Sequence, residues 1–138
     1  MTVADPEEAA WQKITPQFLP PVQPEPPYFA GKMIRFPGKF DPNSPQHFFF
    51  RKKFTLSEKP VKACLQFLAD DAAEVFINGK SAASCDTWRK VKVVDVSNLL
   101  VSGTNLLAVN HWNHHGSTGL LIELYCEFQD GSFVRINS

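Results

Sequence analysis

Hydrophobic and polar residues alternate along much of the chain beyond residue 30. The apolar face of segment 61–69 is formed by Val61, Ala63, Leu65 and Phe67. The apolar face of segment 120–128 is formed by Ile122, Leu124, Cys126 and Phe128, and its opposite face by Glu123, Tyr125 and Glu127. A period of two residues is typical of strands in a sheet with one buried face. Both segments are therefore predicted to be strands of this kind.

Seven segments have the β-branched and aromatic composition of strands: 48–56, 61–69, 74–79, 89–96, 105–112, 120–128 and 132–137. Turn motifs separate them. Asn78-Gly79 predicts a type I′ hairpin, Asp130-Gly131 predicts a second hairpin, and 102–105 predicts a loop. No window of helical length has a sustained 3.6-residue period. Seven or more short strands at this spacing predict an antiparallel sandwich or barrel.

The first 27 residues contain seven of the eleven prolines. Because proline lacks a backbone donor and has a fixed φ, this segment is excluded from helix interiors and central strands. We expect a Pro-rich N-terminal arm, residues 1–29, followed by one β-sandwich domain, residues 30–138. Apolar residues in the arm favour packing over a free tether: Phe18, Leu19, Val22, Tyr28 and Phe29.

The charges balance, with 14 basic and 14 acidic residues. No long-range field attracts phosphate or anionic lipid, so nucleic acid and membranes are not expected as partners. Cys64, Cys85 and Cys126 have no CxxC spacing, and at least two lie in apolar strand patterns, which predicts buried free thiols. Free thiols slightly favour a cytoplasmic protein, whereas a secreted protein whose leader had been removed would have the same sequence.

Successive loops of an antiparallel sandwich lie at alternate ends of the sandwich. Counting the strands therefore predicts at which end each loop lies. One end is predicted to hold the loops at 40–47, 70–71, 86–89 and 111–117. The other end is predicted to hold the turns at 78–79, 102–105 and 130–131. The first end carries tryptophan, histidine, arginine, aspartate and asparagine. Any small-ligand site is therefore expected there.

Most of the chain, from about Gly31 to Ile136, resembles a known family. The matching stretches are RKKFTL (51–56), KPVKACLQFLADDAAEVFINGK (59–80), VVDVSNLLVSGTNLLAVNHWN (93–113) and TGLLIELYCEFQDGSFVRI (118–136), with a framework of Asp95, Leu99, Leu100, Gly103 and Asn105. They are similar to the non-catalytic, galactose-binding-like jelly-roll domains that accompany α-L-rhamnosidases and related glycoside hydrolases. The resemblance implies an all-β antiparallel jelly-roll sandwich. Such domains often bind sugars, sometimes with Ca²⁺, and many only brace a catalytic domain.

Two groups of aromatic and polar residues are candidates for sugar contact. The Trp88 indole offers a face for the C–H side of a pyranose, with Arg89 beside it to bond hydroxyls. The alternative is that Trp88 caps the open end of the core. Trp112, Asn113 and His114 form the second group, whose alternative is a solvated loop between strands.

Asp70 and Asp71 are candidates for sugar contact or for a Ca²⁺ site, because hard cations favour clustered carboxylates. Their alternative is a strand end with hydrogen bonds to the turn backbone. Zinc is a weaker interpretation, because the adjacent His114 and His115 tend to diverge and no second ligand motif accompanies them.

The sequence carries no obvious catalytic constellation: there is no GxSxG motif, and no pair of carboxylates is placed for glycoside hydrolysis. We therefore expect a non-catalytic domain. The first hypothesis is a carbohydrate-binding accessory domain with a shallow site formed by Asp70, Asp71, Trp88, Arg89, Trp112, Asn113 and His114. The second is a module that braces a catalytic domain or another subunit, or that forms a homo-oligomer, without binding sugar.

Overall fold

The chain folds into eight strands. The structure is a computed structural model that describes residues 31–35, 41 and 43–138, so the predicted arm lies outside the described residues. The strands are β1 (Gln46–Leu56), β2 (Lys62–Asp70), β3 (Ala72–Ile77), β4 (Lys80–Cys85), β5 (Lys92–Asp95), β6 (Gly103–Asn113), β7 (Gly119–Glu127) and β8 (Phe133–Asn137). A 3₁₀ turn, Ser97–Leu99, lies between β5 and β6. No helix in the described part of the chain is long and apolar enough to cross a membrane.

The strands form two four-stranded antiparallel sheets. One has the order β1-β6-β3-β4 and is called the β6 sheet; the other has the order β5-β2-β7-β8 and is called the β7 sheet. Hairpins join β3 to β4 and β7 to β8, and the other five connections pass from one sheet to the other. This arrangement confirms the predicted all-β antiparallel jelly-roll sandwich.

The core lies between the inner faces of the two sheets. Alternate residues of β2 and β7 point into it, and the fully buried large side chains include Phe67, Leu65, Leu120 and Leu124. The predicted inner faces of both strands are confirmed, apart from Val61, which precedes β2 and is exposed. Burial of one large aliphatic side chain stabilises a fold by about 1.5–3 kcal/mol, so this layer dominates the stability.

The outer face of the β7 sheet is buried as well, and here the prediction of one buried face is wrong. Glu123 and Tyr125 are 0% and 3% exposed, and Cys64 and Gln66 beside them are 2% and 0% exposed. The alternation identifies which side faces the second sheet. It contains no information about what covers the other side.

Strand β4 was missed from the sequence because its residues, KSAASC, include no β-branched or large apolar side chain. It forms because the Asn78-Gly79 turn returns the chain along β3. The φ angles of Asn78 and Gly79 are 53° and 80°, as the predicted type I′ hairpin requires. The predicted strand at 89–96 is shorter, Lys92–Asp95, because 86–90 form a loop.

A short edge segment, 31–35, adds to the β7 sheet. Ile34 exchanges two backbone hydrogen bonds of 2.8 Å with Leu120, and the Lys32 N–H donates to the Ser138 carbonyl at 3.0 Å. The Ser138 hydroxyl in turn donates to the Lys32 carbonyl at 2.6 Å. The chain therefore enters the domain along the edge of β7, in line with the end of β8.

Candidate functional site

The loops rich in candidate residues lie at one end of the sandwich, as predicted. Cross-strand partners establish this: Asp70 lies opposite Gly119, Ala72 opposite Trp112, and Gln46 opposite Asn113. Ala73, at the same end of β3, pairs with Cys85, after which the loop with Trp88 begins. We call this end the top end.

An aromatic cluster, formed by His47, Phe49 and Trp112, lies near the top end on the outer face of the β6 sheet. The His47 and Trp112 rings are stacked, with centroids 4.6 Å apart and planes inclined by 12°. The Phe49 ring lies 4.4 Å from that of His47, and its side chain is 67% exposed. Apolar side chains with so much exposure mark contact sites when they are grouped. The cluster therefore offers exposed aromatic surface to a ligand.

Sequence reasoning identified Trp112 but missed His47 and Phe49. A signal was present, because His47, Phe49 and Arg51 alternate with Phe48 and Phe50. Phe48 is buried and Phe50 packs on the core, so the alternate residues must point outward. Their contact with Trp112 depends on the β1–β6 register, which pairs His47 with Trp112.

Polar residues continue from the aromatic cluster across the same face. Phe49 lies opposite Asn110, which lies opposite Glu74 on β3, which lies opposite Ser84 on β4. The Ser81 hydroxyl donates to the Glu74 carboxylate at 3.3 Å. The sheet thus presents amide, carboxylate and hydroxyl groups beside a ring surface, the combination that binds the polar and apolar sides of a sugar.

Asp71 fastens the top loop to the end of β6. Its Oδ2 accepts the His114 N–H at 2.7 Å, and its own N–H donates to the Trp112 carbonyl at 3.0 Å. Burial opposes ionisation of Asp71, but this N–H bond, a hydrogen bond from Asp70 and the His114 side chain outweigh it and lower its pKa. Burial and the Asp71 carboxylate raise the pKa of Asp70. These carboxylates shape the loop.

Asn113 and His111 are buried below the loop. Asn113 is the last residue of β6 and not a loop residue as predicted, and its amide donates to carbonyls of the 115–117 backbone in either orientation. The His111 Nε2 lies 2.7 Å from the Asp70 carbonyl, which only accepts, so this nitrogen carries the proton. Burial lowers the pKa of His111. Both residues hold the top end together from inside.

Trp88 and Arg89 lie in the loop after β4 and are exposed, Trp88 by 53%. The Arg89 guanidinium lies 5.3 Å from the centre of the Trp88 ring, a cation–π distance. Trp88 therefore does not cap the core. Within the described residues no hydrogen bond or ring contact joins this pair to the aromatic cluster, so the top end has two separate exposed aromatic surfaces.

The described residues do not assemble a metal site. No three side chains of histidine, cysteine, aspartate or glutamate in the described ranges converge to hold an ion. Calcium requires about six to eight oxygen ligands. Asp70 and Asp71 are a single pair, and one oxygen of Asp71 is engaged by His114.

Comparison with profiles of known protein families found no match, and neither did comparison with curated protein sequences. Solved structures do match. An α-L-rhamnosidase from Streptomyces avermitilis, complexed with L-rhamnose, is 27% identical over 80% of this chain, with a TM-score of 0.70. An α-L-rhamnosidase from Aspergillus terreus is 25% identical over 74% of this chain, with a TM-score of 0.60.

A lectin from Pleurotus ostreatus, in complex with GalNAc, is 22% identical over 79% of this chain, with a TM-score of 0.69. At that identity it is a likeness of fold. The chain spans 12% and 15% of the two rhamnosidase chains and 34% of the lectin chain. The resemblance to a galactose-binding-like domain of rhamnosidases is thereby confirmed, and the chain corresponds to a small part of such an enzyme.

Proposed function

We propose that this domain is a non-catalytic carbohydrate-binding module that holds a sugar against the aromatic cluster at the top end. The exposed Phe49 ring, which lies beside the stacked rings of His47 and Trp112, carries the proposal, because aromatic faces bind the C–H faces of pyranose rings. The likeness to a rhamnosidase at 27% identity supports it and makes L-rhamnose the first sugar to test.

Sugar hydroxyls would be bonded by the polar groups that border the cluster. Asn110 and Glu74 continue the row from Phe49, and His114 lies one position past the end of β6. Asp70, Asp71 and Asn113 act indirectly in this proposal, by fixing the loop that positions His114. Trp88 and Arg89 form a second exposed surface.

Weak binding is expected. An open surface buries little of a monosaccharide, and each hydroxyl exchanges a bond to water for a bond to protein at a net gain of about 1 kcal/mol. A dissociation constant in the millimolar range, about −4 kcal/mol, follows from a few such contacts.

The test is a ¹H–¹⁵N NMR titration of the full chain with L-rhamnose and with D-galactose. We expect shifts of the Trp112 indole and the Asn110 side-chain amide with one sugar. Phe49→Ser should abolish them without unfolding the domain, because Phe49 is mostly exposed. The matched control is Val61→Ser, which alters an exposed apolar residue just before β2 and should bind as the wild type does.

Other outcomes discriminate among the alternatives. Shifts at Trp88 that survive Phe49→Ser would move the site to the Trp88–Arg89 pair. Shifts that require Ca²⁺ would contradict a site formed by side chains alone. Sugar binding would be refuted if no chemical shift changed at tens of millimolar of either sugar or with a mixed plant oligosaccharide pool. That result would leave the bracing module, with the exposed rings of the cluster as its contact surface.

A further inference from the structure

Two cationic side chains follow the aromatic cluster along β1, on the same face of the β6 sheet. Side chains alternate between the two faces of a strand, so Arg51 and Lys53 share the outer face with His47 and Phe49. Both cations are exposed. Arg51 lies two residues beyond Phe49, a step of about 6.8 Å along the strand. We call Arg51 and Lys53 the basic pair.

The basic pair is not neutralised by the described part of the domain. Among the described residues, no carboxylate forms an ion pair with Arg51 or Lys53. Lys52, which lies between them, points to the other side of β1, where its Nζ donates to the Asn137 carbonyl at 2.6 Å. The donors of the basic pair are therefore available to a ligand at the outer face, whereas that of Lys52 is engaged.

Glu74 adds negative charge to this face, but on the far side of β6. It lies opposite Asn110, whereas Arg51 lies opposite Ala108. Two strand spacings and one two-residue step separate the Cα atoms of Glu74 and Arg51 by about 12 Å. The Glu74 carboxylate accepts the Ser81 hydroxyl at 3.3 Å, on the side towards β4. The surface beside the basic pair is therefore positive although the whole chain is neutral.

A small residue leaves room for a ligand beside Arg51. Ala108 lies between Arg51 on β1 and Phe76 on β3, and its side chain is a single methyl group. Asn110, the next outward residue of β6, lies opposite Phe49. The surface is therefore lower above Ala108 than at its neighbours. A sugar ring against Phe49 can direct a substituent into this space, towards Arg51.

We propose that the sugar site prefers an acidic sugar, whose ring lies against Phe49 and whose carboxylate is bonded by Arg51. This inference rests on the proposed function and names the class of sugar that the same site takes. The planar guanidinium presents parallel N–H donors that match both oxygens of a carboxylate. Lys53 adds a second positive charge, and the Asn110 amide bonds a hydroxyl. A neutral sugar makes the ring and hydroxyl contacts but lacks the carboxylate contact.

The test compares D-galacturonate with its methyl ester and with D-galactose in ¹H–¹⁵N NMR titrations of the full chain, with ionic strength matched by sodium chloride. The ester keeps the ring and its hydroxyls but has no charge. We expect the acid to bind about threefold to tenfold more tightly than either neutral sugar, because a charge-assisted bond at an exposed site contributes about this factor. The preference should shrink in about 1 M sodium chloride, where the screening length is about 3 Å.

Substitutions at Arg51 test the assigned contact. Arg51→Gln should remove the preference for the acid and leave the affinity for D-galactose within about twofold. Arg51→Lys should keep only part of the preference, because an ammonium group cannot form two parallel bonds to a carboxylate. The matched control is Lys92→Gln, which removes one positive charge from an exposed residue of β5 in the other sheet and should keep the preference. Both positions are exposed, so the variants should fold.

The outcomes separate this inference from the proposed function. Equal affinities for the acid, the ester and D-galactose would overturn the preference and leave sugar binding in place. A preference that survives Arg51→Gln or Phe49→Ser would also overturn it, because the carboxylate would then be bound elsewhere or without the ring contact. Shifts with L-rhamnose but with none of these three sugars would refute the acidic-sugar preference alone. No shift with any of the four would refute both proposals.

Discussion

Replacement of Asn105 by alanine should destabilise the domain more than any other exchange of a polar residue for alanine near the turns. Asn105 is buried at the end of the sandwich opposite the top end. Its Oδ1 accepts from the Val101 N–H at 3.0 Å and from the Asn78 amide at 2.9 Å. Its Nδ2 donates to the carbonyls of Val101 at 2.8 Å and Gly103 at 3.1 Å.

The magnitude follows from these four bonds. Each contributes about 0.5–1.5 kcal/mol net, and a buried group left unpaired loses more. Val101 is itself exposed, so water can reach part of what alanine would uncover. We expect a loss of about 2–4 kcal/mol in the free energy of unfolding. Urea unfolding followed by circular dichroism should show a midpoint lowered by about 1–2 M, given a slope of about 2 kcal/mol per molar.

The control is Asn98→Ala, which alters an exposed asparagine of the nearby 3₁₀ turn and should change stability by less than about 0.5 kcal/mol. A loss below about 1 kcal/mol for Asn105→Ala would refute the reasoning. It would mean that the turn backbone reaches water or other partners when the amide is absent.

Two further predictions concern His111 and Gly79. Burial places the folded pKa of His111 below its unfolded value of 6.5, so the unfolded chain binds more protons as the pH falls. Its contribution to stability is therefore full above pH 6.5 and is lost as the pH falls below it, with a slope of at most about 1.4 kcal/mol per pH unit. Urea midpoints between pH 7 and 5.5 should fall in the wild type and be flatter in His111→Gln, and equal slopes would contradict this. Gly79→Ala places a Cβ at a φ of 80° in open space, so backbone strain alone should cost about 1 kcal/mol in a thermal melt, with Lys80→Ala as the neutral neighbour.

Local patterns predicted much of the fold. The two-residue period located the strands, and Asn78-Gly79 marked its hairpin, because side-chain direction and left-handed φ are properties of neighbouring residues. Counting strand directions placed the candidate loops at one end. Strand β4 was not predicted, because its small residues show no alternation of apolar and polar side chains.

The candidate site was harder to predict from the sequence than the fold was. Trp88 and Trp112 were recognisable as aromatic residues near loops, but Asn113 and Asp71 were expected to face a ligand and are engaged in holding the loop. A polar side chain in a loop bonds either the ligand or its own backbone, and residue type does not distinguish the two.

The sequence by itself therefore determined the strand content, the turn positions and the end at which the polar loops gather, because these depend on local periodicity and on the alternation of strand direction. Only the tertiary structure decided which rings meet and which faces are covered. His47 reaches Trp112 through the β1–β6 register, and Gln66 and Glu123 are buried on a face that the alternation marks as outward. Both depend on contacts between residues far apart in the chain, which a period of two cannot encode.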